Sequence, residues 1–160
     1  MLQVQVGYSA IRDFIPLSQM EGKWYVTRSN FKMWLKKDNR NPSFNYSIVT
    51  ENGHIGLHDV VAYNKKKKFK KLVGFDKPLN SSNTSFVWRG KGLLSLFKSK
   101  WDILYFDDEI MIIHFEKTLF TAEGYDVVSR HKTLDPVIAA RIYEKLKELG
   151  LNDLLIIGQD

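Results

Sequence analysis

Alternation is the most regular feature of this chain. From residue 23 to residue 131, short runs of alternating apolar and polar positions recur. That period of two belongs to strands with one buried face and one wet face. The pattern predicts strands over 23–29, 43–50, 54–64, 69–76, 84–89, 101–107, 110–116 and 125–131. The links between them are short and carry turn chemistry. Asn52 and Gly53 both tolerate positive φ and read as a two-residue hairpin turn. Pro78 followed by the NSSN segment at 80–83 reads as a loop, and Asp107, Asp108 and Glu109 as a tight acidic turn. Strands that follow one another without intervening helices predict an all-β antiparallel meander. Closing that meander into an eight-stranded up-and-down barrel removes its unpaired edges.

The period changes to helical over 135–150. Asp135 suits the N-cap and Pro136 the first helical position. Ile138, Ile142, Leu146 and Leu149 form one apolar stripe, and Gly150 suits the C-terminal cap. The stripe needs a partner, and the outer wall of the barrel is the surface on offer. Residues 154–157 read as a short ninth strand and 1–18 as an N-terminal arm, so that 1–160 forms a single domain.

Composition narrows the function classes. With no cysteine, disulfides, thiolate metal sites and a Cys-linked lipid anchor are excluded. The expected compartment is cytoplasmic, with the cell envelope as the alternative if a leader has been trimmed, since the first residues do not read as a signal peptide. No run of about 18 apolar residues exists to form a membrane-spanning helix. The net charge of +6 is local. Lys65, Lys66, Lys67, Lys68, Lys70 and Lys71 lie together; of 24 basic residues these six leave 18, equal to the 18 acidic ones. The lysine run is either a solvated hairpin tip or a contact for an anionic membrane surface or nucleic acid. Catalytic and cofactor motifs are missing. There is no HExxH, CxxC, EF-hand loop, phosphate loop or GxSxG elbow. His54 and His58 fall on one strand face about 13 Å apart, too far to share a metal. No cofactor is expected.

Four segments carry a family resemblance. They are GKWY at 22–25, FDKP at 75–78, WDILYFD at 101–107 and SRHKTLD at 129–135. In this order and spacing, from about Gln19 to the C-terminus, the chain resembles the lipocalin family of the calycin superfamily, and most closely the bacterial lipocalin and apolipoprotein D branch. The resemblance implies a barrel floor in which Trp24 lies inside, Arg130 packs across its ring, and Gly22 permits close approach. It implies binding, storage or transport of a small hydrophobic ligand, and no enzyme activity. The sequence departs from the branch by lacking its lipoprotein cysteine and disulfide, by placing Asp126 where an aromatic is usual, and by the wording of loop 90–100.

Phasing each strand on Trp24 and on the apolar positions gives a cavity wall. The candidate ligand-binding residues are Arg28, Phe44, Tyr46, Leu57, Asp59, Trp88, Trp101, Ile103, Tyr105, His114 and Asp126. Ile112, Leu72 and Asp76 are phased inward with them. An aromatic wall with few polar groups suits a fatty acid or a lysophospholipid-like amphiphile, with Arg28 forking an anionic head and His114 donating to it. Three alternatives stand beside that reading. Arg28 pairs internally with Asp59 or Asp126; His114 is an ordinary core or rim histidine; or His114 forms an acid–base pair with Asp126 or Asp59. Phe31, Met33, Trp34 and Leu35, with residues 93–97, are expected at the rim. The chain is expected to be a monomer or weak dimer.

Overall fold

The computed structural model describes residues 14–119 and 121–160. In chain order its elements are α1 (Leu17–Met20), β1 (Gly22–Ser29), α2 (Lys32–Leu35), β2 (Asn39–Glu51), β3 (His54–Lys65), β4 (Lys68–Pro78), β5 (Ser85–Gly90), β6 (Lys98–Phe106), β7 (Ile110–Phe115), β8 (Gly124–Ser129), α3 (Pro136–Glu148) and β9 (Leu155–Ile156). From β2 to β8 each strand pairs antiparallel with the next, and β1 pairs with both β8 and β2. The ring is therefore closed into an eight-stranded antiparallel barrel. Most of the arm expected over 1–18 lies outside the described residues; Leu17–Met20 is a single helical turn at its end.

Closure is uneven at one seam. β1 pairs with β2 only through Gly22, Lys23, Trp24 and Tyr25. Its far half turns away and takes β9 as a partner at Arg28 and Ser29. Gln159 bridges the split, donating from Nε2 to the carbonyls of Val26 and Pro42 at 2.8 and 3.0 Å.

Two apolar clusters result. The inner one fills the lower barrel and includes Trp24, Val26, Phe44, Leu57, Phe86, Ile103, Met111 and Ile113. The outer one lies between α3 and the outside of β7 and β8, where Ile142 and Leu146 meet Ile110, Ile112 and Val127. Asp135 caps α3 as its sequence predicts, accepting from the Ile138 amide at 2.9 Å. Gly150 follows the helix at φ +71°, a backbone position suited to glycine.

The sequence phasing fails at three walls, each for an identifiable reason. A bulge in β1 places Thr27 and Arg28 together on the outside, opposite Val127, while Val26 and Ser29 face inward. Arg28 is thus outside the cavity, donating to the Thr27 carbonyl at 3.0 Å and unpaired with Asp59 or Asp126. A second bulge in β6, at Leu104, turns Tyr105 outward opposite Ile112. There its hydroxyl donates to Asp107 Oδ2 at 2.7 Å, beside Arg141 of α3. The third failure is in β7. Both of its faces are buried, one in the barrel and one under α3, so its sequence is a continuous apolar run without period. Met111, Ile113 and Phe115 face inward; Ile112 and His114 face out.

Candidate functional site

The chain enters the barrel floor through α1. Trp24 is fully buried, and its Nε1–H donates to the Met20 carbonyl at 2.9 Å. The Arg130 guanidinium lies 3.6 Å from the Trp24 ring centre. It donates to the carbonyls of Gln19 (2.7 Å), Glu21 (2.9 Å) and Lys23 (3.3 Å). Gly22 has φ +95°, and a Cβ there would meet Arg130 Nη1 at 3.2 Å. This end is plugged. Segment 14–16 is tied across it by Ile15, whose amide donates to Ser82 O and whose carbonyl accepts from Asn83 Nδ2.

Strand direction makes the links β1–β2, β3–β4, β5–β6 and β7–β8 share the opposite end. A cavity of about 470 Å³ opens there. Phe44, Tyr46, Asp59, Trp88, Trp101 and Asp126, all expected on the wall, line it. Leu57 and Ile103 are buried in the inner cluster rather than on the cavity surface. Arg28, Tyr105 and His114 are elsewhere. The expected rim is present as Phe31, Met33 and Trp34 from the β1–β2 link and Leu94, Leu96 and Phe97 from β5–β6. Phe115, Val61, and Thr118, Leu119 and Thr121 of the β7–β8 link were missed. A rule treating β7 as buried on both faces would have found Phe115.

Aromatic packing organises the deep wall. Trp101 stacks between Phe86 (4.5 Å between ring centres) and Tyr46 (6.3 Å). Trp88 lies flat against Gly74, where an added Cβ would fall 2.2 Å from its Nε1. The absent side chain at Gly74 is the space the indole occupies.

The charged groups deep in this wall are acids, and Lys98 lies at the rim. Asp126 is fully buried. Its Oδ1 accepts from Ser29 Oγ at 2.5 Å, and its Oδ2 from Trp34 Nε1 at 3.1 Å. Desolvation pushes its carboxyl up to about 7, against the pull of those two bonds. Asp59 on β3 faces Asp76 on β4. Burial, and then the Asp76 charge, raise Asp59 well above the usual carboxylate range. Asp76 is pushed up to about 7 by burial, while its bonds to Asp59 and to Trp101 Nε1 (2.9 Å) oppose the shift. Burial also raises the Tyr46 hydroxyl, with the three acids adding to the effect. Among the described residues, no basic side chain pairs with any of the three acids.

His114 lies outside, with Nε2 2.6 Å from Glu123 Oε1 and Nδ1 3.6 Å from Asp102. The barrel wall separates it from Asp59 and Asp126, so the acid–base pair has no geometry here. Among the described residues, no cluster of side chains fits a metal ion.

Comparison with solved structures identifies this architecture. Insecticyanin from the tobacco hornworm Manduca sexta superposes with a TM-score of 0.72 at 12% identity, over 94% of this chain and 84% of that one. The chain has the lipocalin fold. The cockroach allergen Per a 4 matches at 0.68 and 16% identity, over 94% and 92% of the two chains. The siderocalin Ex-FABP matches at 0.66 and 16% identity, over 89% and 95%. No family model and no curated protein sequence matches the chain. At such identities the comparison shows the fold alone.

Proposed function

We propose that this barrel binds a small, largely apolar ligand, taken in through its open end for storage or transport. The observation that carries the reading is the cavity itself. It is about 470 Å³, walled by Trp34, Phe44, Tyr46, Trp88, Trp101 and Phe115, and shut at the far end. That size lies within the range of small-molecule sites. Desolvating an apolar body there contributes about 25 cal/mol per Å² before the entropic losses of binding. The GKWY and SRHKTLD segments support placing the chain near the bacterial lipocalin and apolipoprotein D branch.

A fatty acid or lysophospholipid would fit with its acyl body inside and its head at the rim beside the exposed Lys98. The interior offers that head no base, because Arg28 and His114 face outward. Three tryptophans on the wall make indole fluorescence the direct test. Titration with 2-phenylethanol or decanol is expected to perturb it saturably, and Leu72→Trp, which fills the cavity, to abolish the response. No response from the parent chain to either alcohol would overturn the reading.

A second reading concerns the surface around the mouth. The lysine hairpin is one of the four links at the open end. Leu93, Leu96 and Leu119, from two other links there, are almost fully exposed. Lys66 and Lys67 sit at φ +48° and +67°, where glycine or asparagine is easier to place. Charge is kept at the tip despite that strain. These features support docking of the mouth on an anionic bilayer. Trp88 and Trp101, turned into the barrel, offer no stacking platform for nucleic acid.

A further inference from the structure

The acids in the cavity carry the binding reading further. Asp126 bears no exposed surface, and both of its oxygens accept hydrogen bonds. The donor assignment is constrained. The Phe31 amide donates to Ser29 Oγ at 2.8 Å, which leaves the Ser29 hydroxyl proton for Asp126. Trp34 Nε1 can only donate. Two donors aimed at two oxygens suit the ionised carboxylate. Asp59 is 5% exposed and lines the cavity, and its Oδ1 has no hydrogen-bond partner. Behind it Asp76 Oδ2 is likewise unpartnered. A buried carboxylate without a counter-charge is costly, and the described residues supply none. A cation in the cavity would supply one.

We propose that the cavity is built for a ligand bearing an organic cation, such as an aryl- or alkylammonium, seated against Asp59 and within the field of the buried Asp126, among Trp34, Phe44, Tyr46 and Trp101. The proposal rests on the binding reading above and specifies its ligand class. Carboxylates supply charge pairing, and the aromatic faces attract a desolvated ammonium in addition. An anionic head meets the acids at this depth, with Trp88 Nε1 as the one unpartnered donor among the described wall residues.

The protonation behaviour follows from the same groups. The titratable side chains facing this space are Tyr46 on β2, Asp59 on β3 with Asp76 behind it on β4, Lys98 on β6 and Asp126 on β8. Two carboxyls in contact hold a proton between them when the site is empty. A bound ammonium favours their ionised forms and displaces protons to solvent. Affinity for a cation therefore rises with pH through the carboxyl range near 7.

The test uses the full chain, isothermal titration calorimetry, and three ligands of similar shape: phenethylammonium, 2-phenylethanol and 3-phenylpropanoate. The expected order is cation, then alcohol, then carboxylate, with about tenfold or more between the extremes. Cation affinity is expected to increase between about pH 6 and about pH 8 while alcohol affinity stays level, bracketing the carboxyls near 7. Buffers of different ionisation enthalpy should report proton release on cation binding alone. Asp126→Asn and Asp59→Asn should each weaken the cation about tenfold or more relative to the alcohol, so that the preference for the cation over the alcohol collapses. Should either variant fail to fold, the other variant and the proton count on the parent chain decide. Equal affinity for all three ligands, or a preference for the carboxylate, overturns the cation proposal and leaves apolar binding standing. Binding of none of them overturns both.

Discussion

The guanidinium of Arg130 lies 3.6 Å above the ring of Trp24, and the same group holds three carbonyls of the chain entering the barrel. One side chain thus joins the end of β8 to the start of β1 and shuts the floor. Replacing it with methionine keeps much of the stem and removes the charge and its donors. Arg130→Met is expected to lower unfolding free energy by about 1–3 kcal/mol in a urea titration. Trp24→Ala, which empties a fully buried site, should lose about 3–5 kcal/mol. Gly22→Ala combines a left-handed backbone with a close approach to Arg130 and should cost about 1–2 kcal/mol.

Stability should fall as pH rises from acid to neutral. Asp76 and Asp126 have folded-state values near 7, far above the unfolded carboxylate, and Asp59 is shifted the same way. Between about pH 4 and pH 7 the folded chain therefore holds more protons than the unfolded one. Their contribution is whole below the unfolded value and is lost as pH climbs through the folded value. A melting-temperature series without ligand should decline across that window, and Asp126→Asn should flatten it. A rising profile would contradict the buried, unpaired placement of these acids.

Arg28 reports on the β1 bulge. Sequence alternation aims it into the cavity, whereas the bulge at Thr27 aims it out. Arg28→Leu is expected to leave 2-phenylethanol and 3-phenylpropanoate affinities within about twofold. Leu72→Trp, on the wall, should remove binding of both. Fluorescence titration distinguishes the two outcomes.

The lysine hairpin should act apart from the cavity. Changing Lys65, Lys66, Lys67, Lys68, Lys70 and Lys71 to glutamine is expected to weaken binding to phosphatidylserine-rich vesicles in a sedimentation assay. The scale is about 1 kcal/mol for each lysine that reaches the surface. Binding of 2-phenylethanol should persist. Vesicle binding unchanged by the substitution would remove the docking reading.

Much of the architecture was legible because it follows from local rules. Alternation located the eight barrel strands to within a few residues, and Asn52 with Gly53 gave a turn with both residues at positive φ. Asp135, Pro136 and Gly150 bounded the helix. Phe44, Tyr46, Asp59, Trp88, Trp101 and Asp126 line the cavity as their alternation predicts, because no bulge interrupts the pairing at their positions. The errors cluster where a bulge or the loss of alternation breaks that rule. Arg28 and Tyr105 follow bulges, and His114 sits on a strand covered on both sides.

The sequence by itself determined a closed meander of strands, its helix, and the identity of the groups on most of the wall, because a period of two and a capped period of 3.6 are properties of neighbouring residues. Only the tertiary structure decided which charges face the cavity. A bulge shifts every later side chain by one position, and its presence depends on how β1 meets β8 rather than on β1 alone. That single displacement removed the arginine from the interior and left Asp59 and Asp126 there among aromatic rings.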